Sequence, residues 1–245
     1  MADVLLDIQG LCKSFGALKA VQDVSFTVKR GEVFGIAGPN GSGKSTLFNS
    51  VTGIPFRADG GCIIFGGVAV QHLAPHELAR RGLTRTFQKD AEFGSLTAQE
   101  NVRLAAVTSP RVGRSEVGEA VRSALAQVQF RVTDLARPAR ELSVFQKKQL
   151  MIASALAGRP ALLLMDEPAS GLTQPEVEEL AELIRSVNAG GVTIMLIEHV
   201  LPLLLSVSQR LLILNQGQVL AEGRPAEVVR LPAVIEAYLG KRGAA

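Results

Sequence analysis

Gly38-Pro39-Asn40-Gly41-Ser42-Gly43-Lys44-Ser45-Thr46 decides how the rest of this chain is understood. A short apolar run, Val33-Phe34-Gly35-Ile36-Ala37, precedes it, and a helical pattern from Lys44 to Val51 follows, so the context is strand, tight loop, helix. That is the context a phosphate-binding P-loop requires. Glycines such as Gly38, Gly41 and Gly43 let backbone N–H groups wrap an anion, and the helix start adds its positive dipole end. Lys44 supplies a full charge for the outer phosphates. The backbone at Asn40 and Thr46 completes the cradle, and the Ser45 hydroxyl is placed for Mg2+. A glycine-rich turn that carries Gly-Lys-Ser by coincidence would not need this spacing or these flanks. Nucleoside triphosphate binding is therefore the fixed point.

The chain has 245 residues, enough for a three-layer domain with a smaller appendage. It has one P-loop and no second nucleotide motif, so a mechanism that needs two sites needs a second chain. Hydrophobic residues make up 47% of it, yet no apolar run approaches the roughly 18 residues of a membrane span. The apolar surplus is expected in buried parallel strands and contact surfaces. The start, Met1-Ala2-Asp3-Val4, shows no basic region before an apolar core, so no secretory signal is read. Cys12 and Cys62 have no Cys-x-x-Cys pairing and are expected to be reduced, packed thiols. A net charge of +3 is only mildly basic. Arg80, Arg81, Arg85, Arg111 and Arg114 are expected on a solvated face rather than near anionic lipid headgroups or acidic partner loops. With one Tyr, no Trp and no basic-aromatic interleaving, no nucleic-acid partner is expected.

Along the chain, residues 4–11 and 23–29 read as strands with alternating apolar positions. Phe15 lies between them beside Gly16, either as an exposed platform for an adenine ring or as packing. A strand over 60–67 and a short helix from Pro75 to Gly82 follow, then a strand from Thr84 to Phe87 that stops at Gln88. Thr97 and Glu100 form a capping pattern, and Val117, Val121, Leu125 and Val128 recur at helical spacing. Residues 90–140 thus read as a helical insertion. Ser143 reads as the N-cap of a helix reaching Ala157. Ala161-Leu162-Leu163-Leu164-Met165 is a continuous apolar run that ends in Asp166-Glu167, the pattern of a strand buried on both faces. A helix over 175–189, a strand over 192–197 ending in Glu198-His199, a strand pair over 211–221 and a short terminal helix complete the series. Strands alternating with helices specify an α/β domain with a largely parallel sheet.

Ligands of such sheets gather at the C-terminal strand ends, where Lys44, Gln88, Asp166, Glu167 and His199 all fall. Asp166 suits the Mg2+ shell with Ser45, Glu167 suits polarising a water aimed at a γ-phosphate, and His199 suits a γ-phosphate contact.

These residues resemble the nucleotide-binding subunits of ABC transporters, over nearly the whole chain and in the same order. Phe15 matches the aromatic A-loop residue, residues 38–46 the Walker A stretch, and Gln88 the Q-loop. Leu142-Ser143-Val144-Phe145-Gln146 stands in place of the signature. Leu162 to Glu167 matches Walker B with its catalytic glutamate, Ser170-Gly171-Leu172-Thr173 the D-loop, and His199 the H-loop. More narrowly, Arg85-Thr86-Phe87-Gln88, Ile197-Glu198-His199 and Val234-Ile235-Glu236-Ala237-Tyr238-Leu239-Gly240 look like the ATPases of branched-chain amino acid importers.

The resemblance implies a P-loop NTPase core with a mostly parallel sheet (about 1–88 and 158–245), an N-terminal antiparallel β subdomain and a helical subdomain (about 89–157). It implies ATP and Mg2+ as cofactors, with Ser45, Gln88 and Asp166 on the metal and Glu167, His199 and Gln88 in catalysis. Ser143 and Gln146 would face a partner's nucleotide in a head-to-tail pair of ATPase chains. Two permease subunits and a periplasmic solute-binding protein would complete a system at the cytoplasmic face of the inner membrane. The ATPase of a lipopolysaccharide-type exporter and an ATP-gated clamp with little turnover are the alternatives this pattern leaves open.

The departures from the family pattern are expected to matter. Phe145 replaces the second signature glycine, Thr173 replaces the usual D-loop Asp or Asn, and Val200 replaces the Asp after the H-loop His. The residues serving the chain's own ATP are intact, whereas those reaching across to a partner's ATP are altered. A heterodimer is therefore expected.

Overall fold

A computed structural model describes residues 3–87 and 92–239. In chain order the strands and helices are β1 (Val4–Phe15), β2 (Leu18–Lys29), β3 (Val33–Ala37), α1 (Lys44–Thr52), β4 (Gly60–Phe65), β5 (Val68–Ala69), α2 (Pro75–Arg81) and β6 (Leu83–Arg85). Then come α3 (Ala98–Thr108), α4 (Val117–Gln127), α5 (Val144–Ala157), β7 (Leu162–Asp166), α6 (Gln174–Ala189), β8 (Thr193–Ile197), α7 (Leu201–Val207), β9 (Arg210–Asn215), β10 (Gln218–Gly223), α8 (Pro225–Val228) and α9 (Pro232–Leu239). The chain divides into two compact units, Met1–Pro75 with Thr193–Ala245, and His76–Val192.

In the first unit β3 lies between β8 and β9, parallel to both, and β10 turns back antiparallel on β9. All five residues of β3 and of β8 are buried, which is why both read as unbroken apolar runs. A second, antiparallel sheet has the order β2-β1-β4-β5. Phe26 stacks on Phe34 with ring centroids 5.2 Å apart, and the Arg210 guanidinium lies over the Phe34 face. Arg210 is neutralised by Glu32 at 3.1 Å and by Glu222, so a charge at the edge of the apolar core is fully paired. β1 and β2 both extend further than the alternation predicts, meeting at Phe15 and Leu18. Register shifts between Ile8 and Leu11 and again before Lys13 break the two-residue period, so the outer halves carry no alternation to read.

In the second unit β6 and β7 pair in parallel, with Arg85 opposite Leu164. Helices α3, α4 and α5 pack on one another, and α4 also touches α6. Residues 89–157, expected as the helical part, lie within this unit. Thr97 caps α3 and Ser143 caps α5, each by the reciprocal arrangement in which the residue three further on returns a hydrogen bond to the cap. Asn101 pins the approach to α3: its Oδ1 accepts from the Phe93 N–H at 2.8 Å, and its Nδ2 donates to the carbonyls of Phe93 and Thr97.

Candidate functional site

The predicted residues fall into two groups, one on each unit. In the first unit the loop over 38–46 leaves the end of β3 and enters α1. Gly43, the N-cap, has φ 103°, and no side chain caps this helix. In α3 and α5, by contrast, the side chains of Thr97 and Ser143 accept a backbone N–H at the helix start. Backbone N–H groups at such a start need an external acceptor, and an anion is the natural one. The loop also sits too close to its neighbours for side chains: a Cβ on Gly38 would overlap the Leu214 carbonyl oxygen, and one on Gly43 the Ala20 carbonyl oxygen. Gly41 by contrast faces open space. Lys44 is buried, its Nζ donating to the carbonyls of Gly38 (2.8 Å) and Pro39 (3.1 Å). Its ammonium is thereby held over the loop. Ser45 and Asn40 are exposed and Thr46 is half-buried. The Ser42 hydroxyl is buried without a hydrogen-bond partner among the described residues, a polar atom inside the loop of the kind a bound phosphate shell would satisfy.

Phe15 ends β1 with 45% of its surface exposed. It meets the edge of Phe56 at 5.0 Å between centroids, and Lys13 Nζ lies 5.4 Å from both rings. One side of the ring packs on Phe56 while nearly half the residue stays exposed. Lys13 is itself fixed by Asp59 at 2.5 Å; that hydrogen bond, then the Ser14 backbone N–H, hold the Asp59 carboxyl below its usual range.

His199 follows β8, whose Ile197 pairs with Ile36 of β3, so it emerges at the same sheet edge as the loop. Its side chain is 55% exposed. Glu198 beneath it is fully buried and accepts the backbone N–H groups of His199 (3.1 Å) and Val200 (3.4 Å). The sequence singled out His199 but assigned no role to Glu198. A charged residue inside an otherwise apolar strand end was the available signal.

In the second unit Asp166 closes β7. Its Oδ2 accepts from Arg85 Nη2 at 2.7 Å, and both side chains are only 7% exposed. Arg85 is therefore not on the solvated face expected of it. It lies one strand away from Asp166 because β6 and β7 run side by side. Arg111 is exposed, as expected, and its Nε donates to the Arg159 carbonyl at 2.8 Å and its Nη1 to that of Arg81 at 3.2 Å. Glu167 is half-buried at φ 48°, a backbone region that non-glycine residues adopt only where the surroundings enforce it. Ser143 and Gln146 are engaged with each other: Ser143 Oγ accepts the Gln146 N–H, Gln146 Oε1 accepts the Ser143 N–H, and Gln146 Nε2 donates to Asp134 at 2.7 Å. Thr173 caps α6 and is bonded to Glu176. Gln88 lies outside the described residues.

An uncapped helix start behind a glycine cradle, on an α/β sheet edge, defines a P-loop nucleotide-binding cassette. Residues 21–170 match the model of the ABC transporter family, and residues 218–244 that of the branched-chain amino acid ATP-binding cassette transporter. The chain belongs to the ABC transporter family and is one of its ATPases. It is 36% identical to the high-affinity branched-chain amino acid transport ATP-binding protein BraF of Pseudomonas aeruginosa, with 98% of this chain and 100% of the relative covered. It is 34% identical to LivG of Escherichia coli K12, named for the same transport, at the same coverage. Among solved structures, the ADP conformation of the cassette MJ1267 superposes with a TM-score of 0.86 at 32% identity, covering 97% of this chain and 99% of the other. A dimeric post-hydrolysis cassette, MJ0796 bound to ADP and Pi, superposes at 0.79 with 25% identity, covering 90% and 99%.

Proposed function

We propose that this chain hydrolyses ATP to drive import of a branched-chain amino acid, or a related small solute, across the inner membrane. It would act from the cytoplasmic face as one of two ATPase chains, with two permease subunits and a periplasmic solute-binding protein. The observation that carries the nucleotide part is the start of α1, where Gly43 leaves the helix uncapped and Lys44 holds its ammonium over the loop. No described helix is long and apolar enough to cross a membrane, which agrees with peripheral attachment to membrane subunits.

The residues fit their proposed ligands chemically. The loop offers N–H donors and a lysine for phosphates, and Asp166 offers the carboxylate oxygen that Mg2+ prefers. When bound, Mg2+ would offset charge on the phosphate oxygens. Ser45, Asp166 and Gln88 would hold it, Glu167 would orient and polarise the attacking water, and His199 would contact the γ-phosphate. Phe15 would stack on the adenine.

A groove in the second unit supports attachment to a permease. It is a cavity of about 400 Å³ walled by Phe87, Phe93, Leu104, Met151 and Ala155. Phe93 and Leu104 are well exposed, so the surface is apolar and suits an apolar helix.

The test is purification from membranes and transport. A tagged chain should bring down permeases and a second ATPase, and proteoliposomes of that complex should take up leucine only with ATP inside. Glu167→Gln should stop uptake and turnover while ATP still binds. Uptake unchanged by Glu167→Gln, or a complex without permeases, would refute the reading.

A further inference from the structure

The Arg85–Asp166 pair is unusual for a site that must take a divalent cation. The strand-end carboxylate assigned to Mg2+ is already neutralised, at 2.7 Å, by a guanidinium as buried as itself. The partner is no accident of a flexible surface side chain: β6 and β7 run in parallel register, and the Thr86 N–H bonds the Leu164 carbonyl at 2.9 Å. Arg85 is thus fixed opposite the end of β7. Its guanidinium carbon also lies 5.3 Å from the centroid of the Phe87 ring, which is exposed and forms part of the apolar groove. Arg85 lines the same groove, together with the carboxylate-bearing Glu92. One side chain therefore touches the metal-binding carboxylate and the proposed permease-docking surface.

We infer that Arg85 is an internal counter-ion for Asp166 that Mg2+ displaces, so that filling the metal site is felt in the groove. The inference rests on the proposed assignment of Asp166 to Mg2+. The physics is competition for one carboxylate. A buried Asp without a cation is costly, so the metal-free cassette is held together by Arg85. A divalent ion and a guanidinium on the same carboxylate repel each other, and the ion carries twice the charge. The guanidinium keeps the Phe87 face it already lies over, a contact that holds its charge against a π-system as it leaves the carboxylate. Movement of Arg85 against Phe87 changes the wall of the groove, and this gives nucleotide occupancy a short route to the membrane partner.

Competition has a definite sign. Apparent Mg2+ affinity is reduced by the fraction of Asp166 that is free of Arg85. If about one carboxylate in ten is free, removing Arg85 lowers the Mg2+ midpoint about tenfold. The experiment titrates MgCl2 into the full chain with a fluorescent, non-hydrolysable ATP analogue and reads the Mg2+ concentration for half-maximal tightening. Arg85→Met should need about a tenth of the Mg2+ of the wild type, Arg85→Lys an intermediate amount, and Asp166→Asn more than the wild type. An Arg85→Met midpoint equal to or above the wild type, with Asp166→Asn still impaired, overturns the counter-ion inference alone; Arg85 would then hold the carboxylate ready for the metal. An Asp166→Asn midpoint equal to the wild type overturns the metal assignment and the inference with it. Because Arg85→Met leaves a buried carboxylate without its cation and can fail to fold, a second reading uses the wild type. With 15N-labelled arginine, the Arg85 Nε–H resonance, assigned by its loss in Arg85→Lys, should shift when Mg2+ is added to the nucleotide-bound protein. A resonance that Mg2+ leaves in place refutes displacement.

Discussion

The fully buried carboxylate of Glu198 accepts the backbone N–H of His199 at 3.1 Å and lies 3.8 Å from its ring Nδ1. The turn that presents the exposed histidine is therefore held from below by a buried carboxyl group. Glu198→Ala would leave two backbone N–H groups without that acceptor, at a cost of about 1–3 kcal/mol in stability. Turnover should fall, because His199 would lose its fixed presentation, while ATP affinity, set mainly by the loop, should change little. Denaturant melts together with kcat and KM for ATP in the assembled transporter check this. A variant with native stability and an equal loss in KM would show that Glu198 does not position the histidine.

The loop glycines should not be equivalent. Gly41 has φ 77° and open space around its missing Cβ, so Gly41→Ala pays only the left-handed backbone, about 1–2 kcal/mol. At Gly38 the same change also drives a methyl into the Leu214 carbonyl, adding roughly 1–3 kcal/mol of overpacking. Urea unfolding should rank Gly38→Ala well below Gly41→Ala. Equal midpoints would mean the loop relaxes away from β9 at no cost.

Phe15 should contribute to affinity without contributing to chemistry. Stacking of a base on an aromatic ring is worth about 1–3 kcal/mol, so Phe15→Ala should weaken ATP binding by roughly 5- to 150-fold and leave kcat at saturation intact. Phe15→Trp should retain binding. Because any purine has a π-face, GTP should weaken in parallel with ATP. Equilibrium titration with both nucleotides decides it, and a Phe15→Ala variant of unchanged affinity would assign the ring to packing on Phe56.

The capping carboxylates predict part of the acid sensitivity. The backbone N–H of Thr97, then its hydroxyl, lower the pKa of Glu100, and the same two groups of Thr173 do so for Glu176. A carboxylate depressed on folding stabilises the protein above its unfolded pKa, and that contribution is lost as pH falls through the lower folded value. Gln keeps the capping hydrogen bond but cannot titrate. Glu100→Gln and Glu176→Gln should therefore lie below the wild type at pH 7 by little and show a shallower fall in stability between about pH 5 and pH 3. Thermal melts across that range give the slopes; slopes as steep as the wild type in both variants would exclude these caps as a source of the acid limb.

What could be read in advance was what local physics dictates. The Thr97 and Ser143 caps, the unbroken apolar run of β7 and the strand-loop-helix around Gly38 are each specified within a few residues. Pairings between distant segments were not. Nothing near Arg85 announces Asp166, 81 residues on, and a basic residue in a short strand looks like solvated charge until β6 is placed beside β7. Glu198 showed only as a charged residue at the end of an apolar strand; that it would accept the His199 and Val200 N–H groups of its own turn had no signature in the sequence. The outer half of β1 was missed because its bulges erase the alternation that marks a strand.

Phe145 decides between a symmetric and an asymmetric assembly. It occupies the first turn of α5, where the family pattern has glycine, and its backbone is simply helical, so no glycine-specific conformation is required. What it adds is bulk. The half-buried side chain forms part of a polar cleft with Gln129, Arg137, Gln146 and Glu176 on its own unit. If this face is meant to close on a partner's phosphates, the ring keeps backbone amides from approaching, and the site it serves should turn over slowly. A complex assembled from this chain and the permeases alone carries the defect twice, whereas one containing a second ATPase with an intact signature carries it once. Phe145→Gly should therefore raise ATPase activity severalfold in the first complex and much less in the second. The change also places glycine in a helix, at about 1 kcal/mol, so Phe145→Ala serves as the control that removes bulk while keeping helix propensity. An ordinary hydrolysis rate in the single-ATPase complex, unmoved by either substitution, would show that the ring does not obstruct the partner's nucleotide and would remove the reason for a heterodimer.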